Sequence, residues 1–435
     1  MATKPMQNIP EKSYIRVCDL FACSGGLSHG LNEVEGIEVL VANEYDKNCW
    51  ETYKYNHPNC NLIEGDITDK DIKDQIVNSC LENKINVIVG GIPCVAFSMS
   101  GKRDIFDDRG QLYLDYFEIV KRVNPKICLI ENVKGLDSMK HLDIQNLGED
   151  IIKKMKMDYK KKMKRDKFEE KYNQEFFFVK EKWKEMFEKL GYICEYKILK
   201  ASNYGVPQHR ERIIFIASKI NNEIIWPEET HNEKGNEGKK KWVSVKESIE
   251  DLKTHNEDKD FSHETRKYKD KKTINALKKQ KIETSYGRYT EANYKCHPDK
   301  PSNTVKENHG AVFVHYDLPR HMTARELARL QSFPDNFLFK CTKGQAYKHI
   351  GNAVPPLLGK VLGNSIKQMF DNQKDQKEEK ELIIVDEDEK DKIQRRETLI
   401  AKEILYELND AMNKMEINQN IKIALNFNFN FKIEK

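Results

Sequence analysis

The sequence predicts an α/β fold built around a doubly wound, mostly parallel sheet. Three observations carry this. Apolar, β-branched runs at 14–21, 37–42, 61–67 and 87–90 alternate with stretches of helical periodicity. Each run stops at a polar, acidic or glycine-rich tip rather than turning straight back as a hairpin would. A fifth run, 126–130, repeats the pattern and ends at Glu131-Asn132-Val133. Strands separated by helices need crossover connections, which favour a parallel sheet with helices on both faces.

The first run passes into Ala22-Cys-Ser-Gly-Gly-Leu-Ser-His-Gly30. Strand, glycine turn and helix form the opening unit of a sheet that binds a nucleoside or dinucleotide. Gly25 and Gly26 let backbone approach a ligand, although an ordinary tight turn has the same look. The G-x-G-x-x-G register is absent, which argues against a nicotinamide cofactor. The second run ends at Asn43-Glu44. A carboxylate there can accept both hydroxyls of a ribose, or serve only as a surface charge. The third ends at Asp66-Ile67, a candidate contact for a base.

The fourth run reads Val87-Ile-Val-Gly-Gly-Ile-Pro-Cys94. It is a buried strand delivering a thiol onto a loop at its C-terminal end, with Pro93 fixing the backbone just before the sulfur. A lone cysteine is usually a small buried hydrophobe. Here the fifth run brings Glu131 to the same edge of a parallel sheet, so thiol and carboxyl can face one substrate. Between them, 103–109 reads as a polar, Asp-rich loop and 112–123 as an amphipathic helix.

Residues 137–180 form an insertion, lysine-rich over 150–170. Such a helix is either simply solvated or tracks phosphates. A helix at 176–190 and a strand at 192–200 follow. Gln208-His-Arg210-Glu-Arg212 then leads into another apolar strand. Period two puts Arg210 and Arg212 on one face, as a salt-bridged edge or as two cations near Glu131 and a substrate carbonyl. Residues 219–300 are charged and irregular, a recognition module or a linker. Thr323-Ala-Arg-Glu326 is a capping box. His349-Ile-Gly-Asn352-Ala353-Val-Pro355 opens a helix that closes the region near Phe370. A charged linker (371–395), a helix (393–415) and a strictly alternating strand (421–433) complete the chain.

At 435 residues the chain holds two or three domains' worth of core. Its ten cysteines show no regular spacing, which suits free thiols in a reducing, cytoplasmic setting. No apolar run reaches membrane-span length. No C-x-x-C or His/Cys cluster has zinc spacing, so no metal is expected. A net charge of +4 does not by itself establish a nucleic-acid partner.

With these residues in place, the chain resembles the cytosine-5 DNA methyltransferase family over 14–135 and 176–370. The family's motifs run in order: Asp19-Leu-Phe21 with Gly25-Gly26, Glu44, Asp66, Pro93-Cys94, Glu131-Asn-Val133, Gln208-His-Arg-Glu-Arg212, Arg325-Glu-Leu-Ala-Arg-Leu-Gln-Ser-Phe-Pro334 and Gly351-Asn-Ala-Val-Pro355. Any one is weak; the ordered series is specific. Two positions depart from the family. Cys23 stands where it usually has the first glycine of the loop, and Val95 replaces the glutamine that commonly follows the cysteine.

The resemblance implies a Rossmann-like catalytic domain at 14–218, a smaller irregular target recognition domain at 219–319, closing helices at 320–370 and a C-terminal helix-plus-strand extension at 371–435. It implies that Cys94 adds to cytosine C6, that Glu131 protonates the ring, and that Arg212 with Arg210 holds the O2 oxygen. Phe21, Gly25, Gly26, Glu44, Asp66, Ile67, Asn352 and Ala353 would bind S-adenosyl-L-methionine. The expected partner is duplex DNA, with the base flipped out under a lid at 98–109. No metal and no membrane are expected. The expected state is a monomer, with dimerisation through the extension left open. A tRNA cytosine methyltransferase of the same fold, a non-catalytic relative and a thiol hydrolase are the alternatives.

Overall fold

The computed structural model describes residues 15–93, 111–142, 147–160, 165–173, 176–220, 223–254, 264, 270–285, 293–307 and 313–373, with isolated positions from 394 to 410. Cys94, Val95, the expected lid at 98–109 and the expected strand at 421–433 lie outside the described residues.

The first half runs β1 (Ile15–Leu20), α1 (Gly26–Asn32), β2 (Ile37–Glu44), α2 (Lys47–Asn56), β3 (Asn61–Glu64), α3 (Lys70–Glu82), β4 (Val87–Gly90), α4 (Leu112–Val123) and β5 (Ile127–Val133). The insertion contributes β6 (Lys140–Leu142), α5 (Glu149–Lys160), α6 (Arg165–Lys171) and β7 (Phe176–Phe178); α7 (Val179–Lys189), β8 (Ile193–Lys200) and β9 (Glu211–Ser218) follow. The main sheet has the order β3-β2-β1-β4-β5-β9-β8. Its first five strands are mutually parallel, and β9 runs antiparallel to both β5 and β8. The expected mostly parallel α/β sheet is therefore present. Its strand order reverses between β1 and β4, where open α/β sheets bind ligands at the carboxyl ends of their strands.

Local chemistry explains the boundaries. Asp46 and Asp69 cap α2 and α3 through side-chain oxygens that accept the N–H of Asn48 and Asp71. Every residue of β4 is buried, as is all of β5 up to its last residue, which suits strands covered on both faces. Leu20, Ile88, Tyr116, Ile130, Trp183 and Phe215 join one core under the sheet.

Several elements differ from the sequence reading. β5 extends past residue 130, so Glu131 and Asn132 lie inside a strand. β3 stops at Glu64, leaving Asp66 in the turn before α3. Phe176–Phe178 does not begin a helix; it pairs with β6, aligning His141 with Phe177. Three consecutive phenylalanines favour a pleated strand over a helical start.

Beyond β9 come β10 (His231–Asn232), β11 (Lys240–Lys241), α8 (Val245–Ile249), α9 (Lys271–Lys279), β12 (Tyr294–Lys295), β13 (Phe313–Val314), α10 (Ala324–Leu330) and α11 (Lys343–Asn352). A second core gathers Val245, Ile249, Phe313, Leu327, Phe333 and Ile350. The capping box at Thr323 and Glu326 is formed. His349 and Asn352 close α11 instead of opening the last helix, which spans 356–369 within this unit. Pro355 and Pro356 are the reason, because a residue preceding proline is pushed out of helical geometry. The chain divides into two compact units, 1–369 and 370–435; in the second, Lys402, Ile404 and Tyr406 are helical. Among the described residues no helix is long and apolar enough to cross a membrane.

The last helix crosses α1 at Gly30, where a Cβ would lie 1.9 Å from the Pro356 carbonyl oxygen. Backbone cannot yield as a flexible side chain can. Gly30→Ala is expected to destabilise the protein by at least about 3 kcal/mol, read as a lowered urea midpoint. A midpoint equal to wild type would show that this crossing is loose.

Candidate active site

The site forms where β1 leaves the sheet. Phe21 (φ 58°), Cys23 (φ 51°) and Gly25 (φ 92°) are all left-handed, so the chain doubles back within five residues before α1 begins. Gly25 is required twice over. Its φ suits glycine, and a Cβ there would lie 2.3 Å from His57 Nε2. Glu44 at the end of β2 holds the loop. Its Oε2 accepts the Cys23 N–H and its Oε1 the Asp46 N–H, both at 2.6 Å. Burial raises the Glu44 pKa, partly offset by these bonds.

A single cleft is lined by Phe21, Gly26, Glu131, Asn352 and Ala353, together with Asp19, Cys23, Leu27, Gly91 and Val354. Five of the residues expected from sequence thus meet there, drawn from both ends of the first unit. Gly25, Glu44, Asp66 and Ile67 are not part of the lining. Gly25 and Glu44 shape the loop behind it. Asp66 Oδ1 accepts the backbone N–H and the hydroxyl of Thr68 at 2.9 and 2.8 Å. Ile67 is buried in the sheet core.

Glu131 and Arg212 face each other across β5 and β9. Arg212 aligns with Val133, two residues from Glu131, so both side chains leave the same face of the sheet. Arg212 Nε lies 2.8 Å from Glu131 Oε1. The approach is oblique: that buried oxygen has no aligned hydrogen-bond donor among the described residues. Arg210 was expected beside them and is elsewhere. It precedes β9, so strand periodicity does not reach it. Its guanidinium donates to the carbonyls of Gly351 and Val305 at 3.2 and 3.4 Å.

Three amide side chains brace the site. Asn132 Nδ2 donates to the Ile92 carbonyl at 3.0 Å, fixing the backbone just before Pro93. Gln208 donates to Gln331 Oε1 at 2.8 Å and accepts the Val305 N–H at 2.8 Å. Gln331 in turn reaches the carbonyl of Ala353 at 3.3 Å. This buried network positions the 350–353 wall.

The sequence reading gave Asp19 no role. It is almost fully buried, accepts the Ser28 hydroxyl at 2.5 Å, and has its pKa pushed up to about 7, chiefly by burial. The available signal was an acid set between Cys18 and Leu20 in the apolar second half of the strand. Its folded pKa exceeds the unfolded value near 3.9, so it favours folding below about pH 4, and that contribution is lost as pH rises through 7. Three units correspond to about 4 kcal/mol. Asp19→Asn should therefore gain urea resistance relative to wild type between pH 4 and pH 8. Parallel midpoint curves for the two proteins would refute this.

A family model for C-5 cytosine-specific DNA methylase matches residues 15–164 and 171–368. The chain belongs to the C-5 cytosine-specific DNA methylase family. It is a DNA cytosine-5-methyltransferase. Among similar proteins, the Type II methyltransferase M.NgoPII of Neisseria gonorrhoeae is 32% identical over 395 residues, covering 84% of this chain and all of the relative (100%). The Type II methyltransferase M1.HphI of Haemophilus parahaemolyticus is 31% identical over 369 residues, covering 82% and 87%. Among solved structures, the S. pombe Dnmt2 methyltransferase superposes with a TM-score of 0.52 at 20% identity, covering 82% of this methylase and 99% of that chain. That likeness concerns the fold alone.

At Gly91 a Cβ would make ordinary van der Waals contact with Glu131 Oε2 at 3.7 Å, so among the described residues this glycine backbone lies directly beside the carboxylate. Asp19 and Glu131 are the two carboxyl groups of the lining, the first with its pKa raised by burial and the second paired with Arg212.

Proposed function

We propose that this methylase transfers a methyl group from S-adenosyl-L-methionine to C5 of a cytosine in a specific duplex DNA sequence, as the modification half of a restriction-modification system or as an orphan methylase. The observation that carries the reading is the Arg212-paired Glu131, set in one cleft with Phe21, Gly26 and Asn352. Gly91, on the floor of that cleft, is three residues before Cys94.

Cytosine C5 is a poor nucleophile. Addition of the Cys94 thiolate to C6 makes the ring an enamine whose C5 can attack a methyl group. Glu131 hydrogen-bonds N3 and the exocyclic amine, and supplies a proton to the ring as sulfur adds. Oε1 is held by Arg212, and Oε2, which faces Gly91, is the oxygen turned toward the base. Arg212 holds O2 and balances the charge on Glu131. Arg210 supports from behind by fixing Val305 and Gly351. Loss of the C5 proton and departure of the Cys94 sulfur then restore the aromatic ring. S-adenosyl-L-methionine supplies the electrophilic methyl when bound. Phe21, Gly26, Asn352 and Ala353 line its place, and Gly25 and Glu44 shape the loop behind it; Glu44 would take the ribose, and Asp66 with Ile67 the adenine. The target base must leave the duplex stack to reach this cleft. Residues 219–319 are assigned to target recognition, 14–218 and 320–370 to catalysis, and 371–435 to an extension.

Duplex DNA carrying 5-fluorocytosine at the target tests the thiol pathway. Fluorine cannot leave as a proton, so a covalent adduct should accumulate on Cys94 and survive denaturing electrophoresis. Normal methylation of ordinary duplex without such an adduct would refute the mechanism. Preferential methyl transfer to tRNA would refute the substrate.

A further inference from the structure

We propose that Asp46, Cys49 and His349 form a binding site for one thiophilic divalent cation, Zn2+ in the first instance, beside the cleft, with the neighbouring thiol of Cys23 turning in as the fourth ligand. One donor atom each from Asp46, Cys49 and His349 lies within 4.8 Å of the other two. Cys23 Sγ is 3.9 Å from Cys49 Sγ. Tetrahedral zinc with bonds of about 2.3 Å to sulfur sets two thiolates about 3.8 Å apart, so this pair already has the required spacing.

Two further observations point to a ligand. His349 is 1% exposed, and its Nε2 is buried without a hydrogen-bond partner among the described residues. Such an orphan is costly unless something occupies it. Its Nδ1 faces Cys341 Sγ at 3.6 Å, the kind of outer contact that orients a metal-binding imidazole. Cys23 also holds a left-handed φ of 51°, a conformation that costs a side chain energy. That strained residue carries its sulfur to another thiol.

Asp46 is engaged at present. Asn48 donates to Oδ1, and Lys348 Nζ lies 3.0 Å from Oδ2. The Lys348 side chain is 40% exposed and can swing into solvent when a cation takes its place. The site would join three walls: the loop after β1, helix α2, and helix α11 just before Asn352. Its role is structural, outside the methyl-transfer chemistry. Short-range spacing could not reveal it, because Cys23, Cys49 and His349 come from distant parts of the chain.

The test uses the full chain purified without chelators. Elemental analysis should find one equivalent of zinc. The stripped protein should take up one Co2+ with tetrahedral d–d bands and thiolate-to-cobalt charge transfer. Cys49→Ser should weaken Co2+ affinity by about 100-fold or more. Cys23→Gly relieves the backbone strain and so keeps the test open should Cys49→Ser misfold; it should weaken affinity by about 10-fold or more. Absence of zinc together with no charge-transfer band overturns the proposal. So does unchanged affinity in Cys23→Gly, or a Cys23–Cys49 disulfide in place of bound metal.

Discussion

Cys94→Ser is expected to lower methyl transfer by at least about 10⁴-fold while S-adenosyl-L-methionine binds as in wild type. A serine hydroxyl is scarcely ionised near neutral pH, whereas a thiol can present an appreciable thiolate fraction and is intrinsically more nucleophilic. Without addition at C6 the ring stays aromatic and C5 does not attack. The groups lining the cleft are untouched by the exchange, so cofactor affinity is the control for folding. Tritium transfer to duplex DNA measures the first quantity, and calorimetric titration the second. Activity within tenfold of wild type would refute Cys94 as the nucleophile. Lost cofactor affinity would mean that Cys94 acts on the pocket instead.

The second large effect is expected at Glu131. Glu131→Gln keeps shape and hydrogen-bonding reach but cannot deliver the proton, and it leaves the Arg212 charge uncompensated. The expected loss is about 10²- to 10⁴-fold in kcat, with a much smaller change in KM for DNA. Removing one partner of a buried ion pair can also destabilise the fold, by about 3–5 kcal/mol. The kcat loss must therefore be measured on protein whose urea midpoint shows that it is folded. Arg212→Lys provides a comparison: it keeps the positive charge but loses the guanidinium plane, and should fall between wild type and Glu131→Gln. A kcat within threefold of wild type in Glu131→Gln would remove Glu131 from the chemistry.

Much of this was legible in the sequence because parallel sheets have a strong grammar. Apolar runs gave β1, β2, β4 and β5, and their polar tips gave Phe21, Gly26 and Glu131 a common edge. The cleft residues Asn352 and Ala353 followed from resemblance, since nothing local says that residue 352 returns to residue 26. What failed did so for physical reasons. Arg210 was placed by strand periodicity, but the strand begins one residue later. Asp66 was placed on a strand tip, but β3 ends at Glu64 and the acid turns to Thr68. Asp19 was overlooked because a buried acid needs a partner to be understood, and Ser28 lies on the next helix. The Cys23, Cys49 and His349 cluster belongs to the same class, as a neighbourhood created only by tertiary structure.

The cleft takes one wall from residues 21–26 and another from residues 352–354. During synthesis, then, the first wall emerges from the ribosome long before its counterpart. With the methyl donor in this cleft, as proposed, a nascent chain can fold the early strands yet has nowhere to lodge it until almost the entire first unit has been made. Fragments ended early by a stop codon or a protease should be unable to sequester the donor or to modify DNA at unintended places.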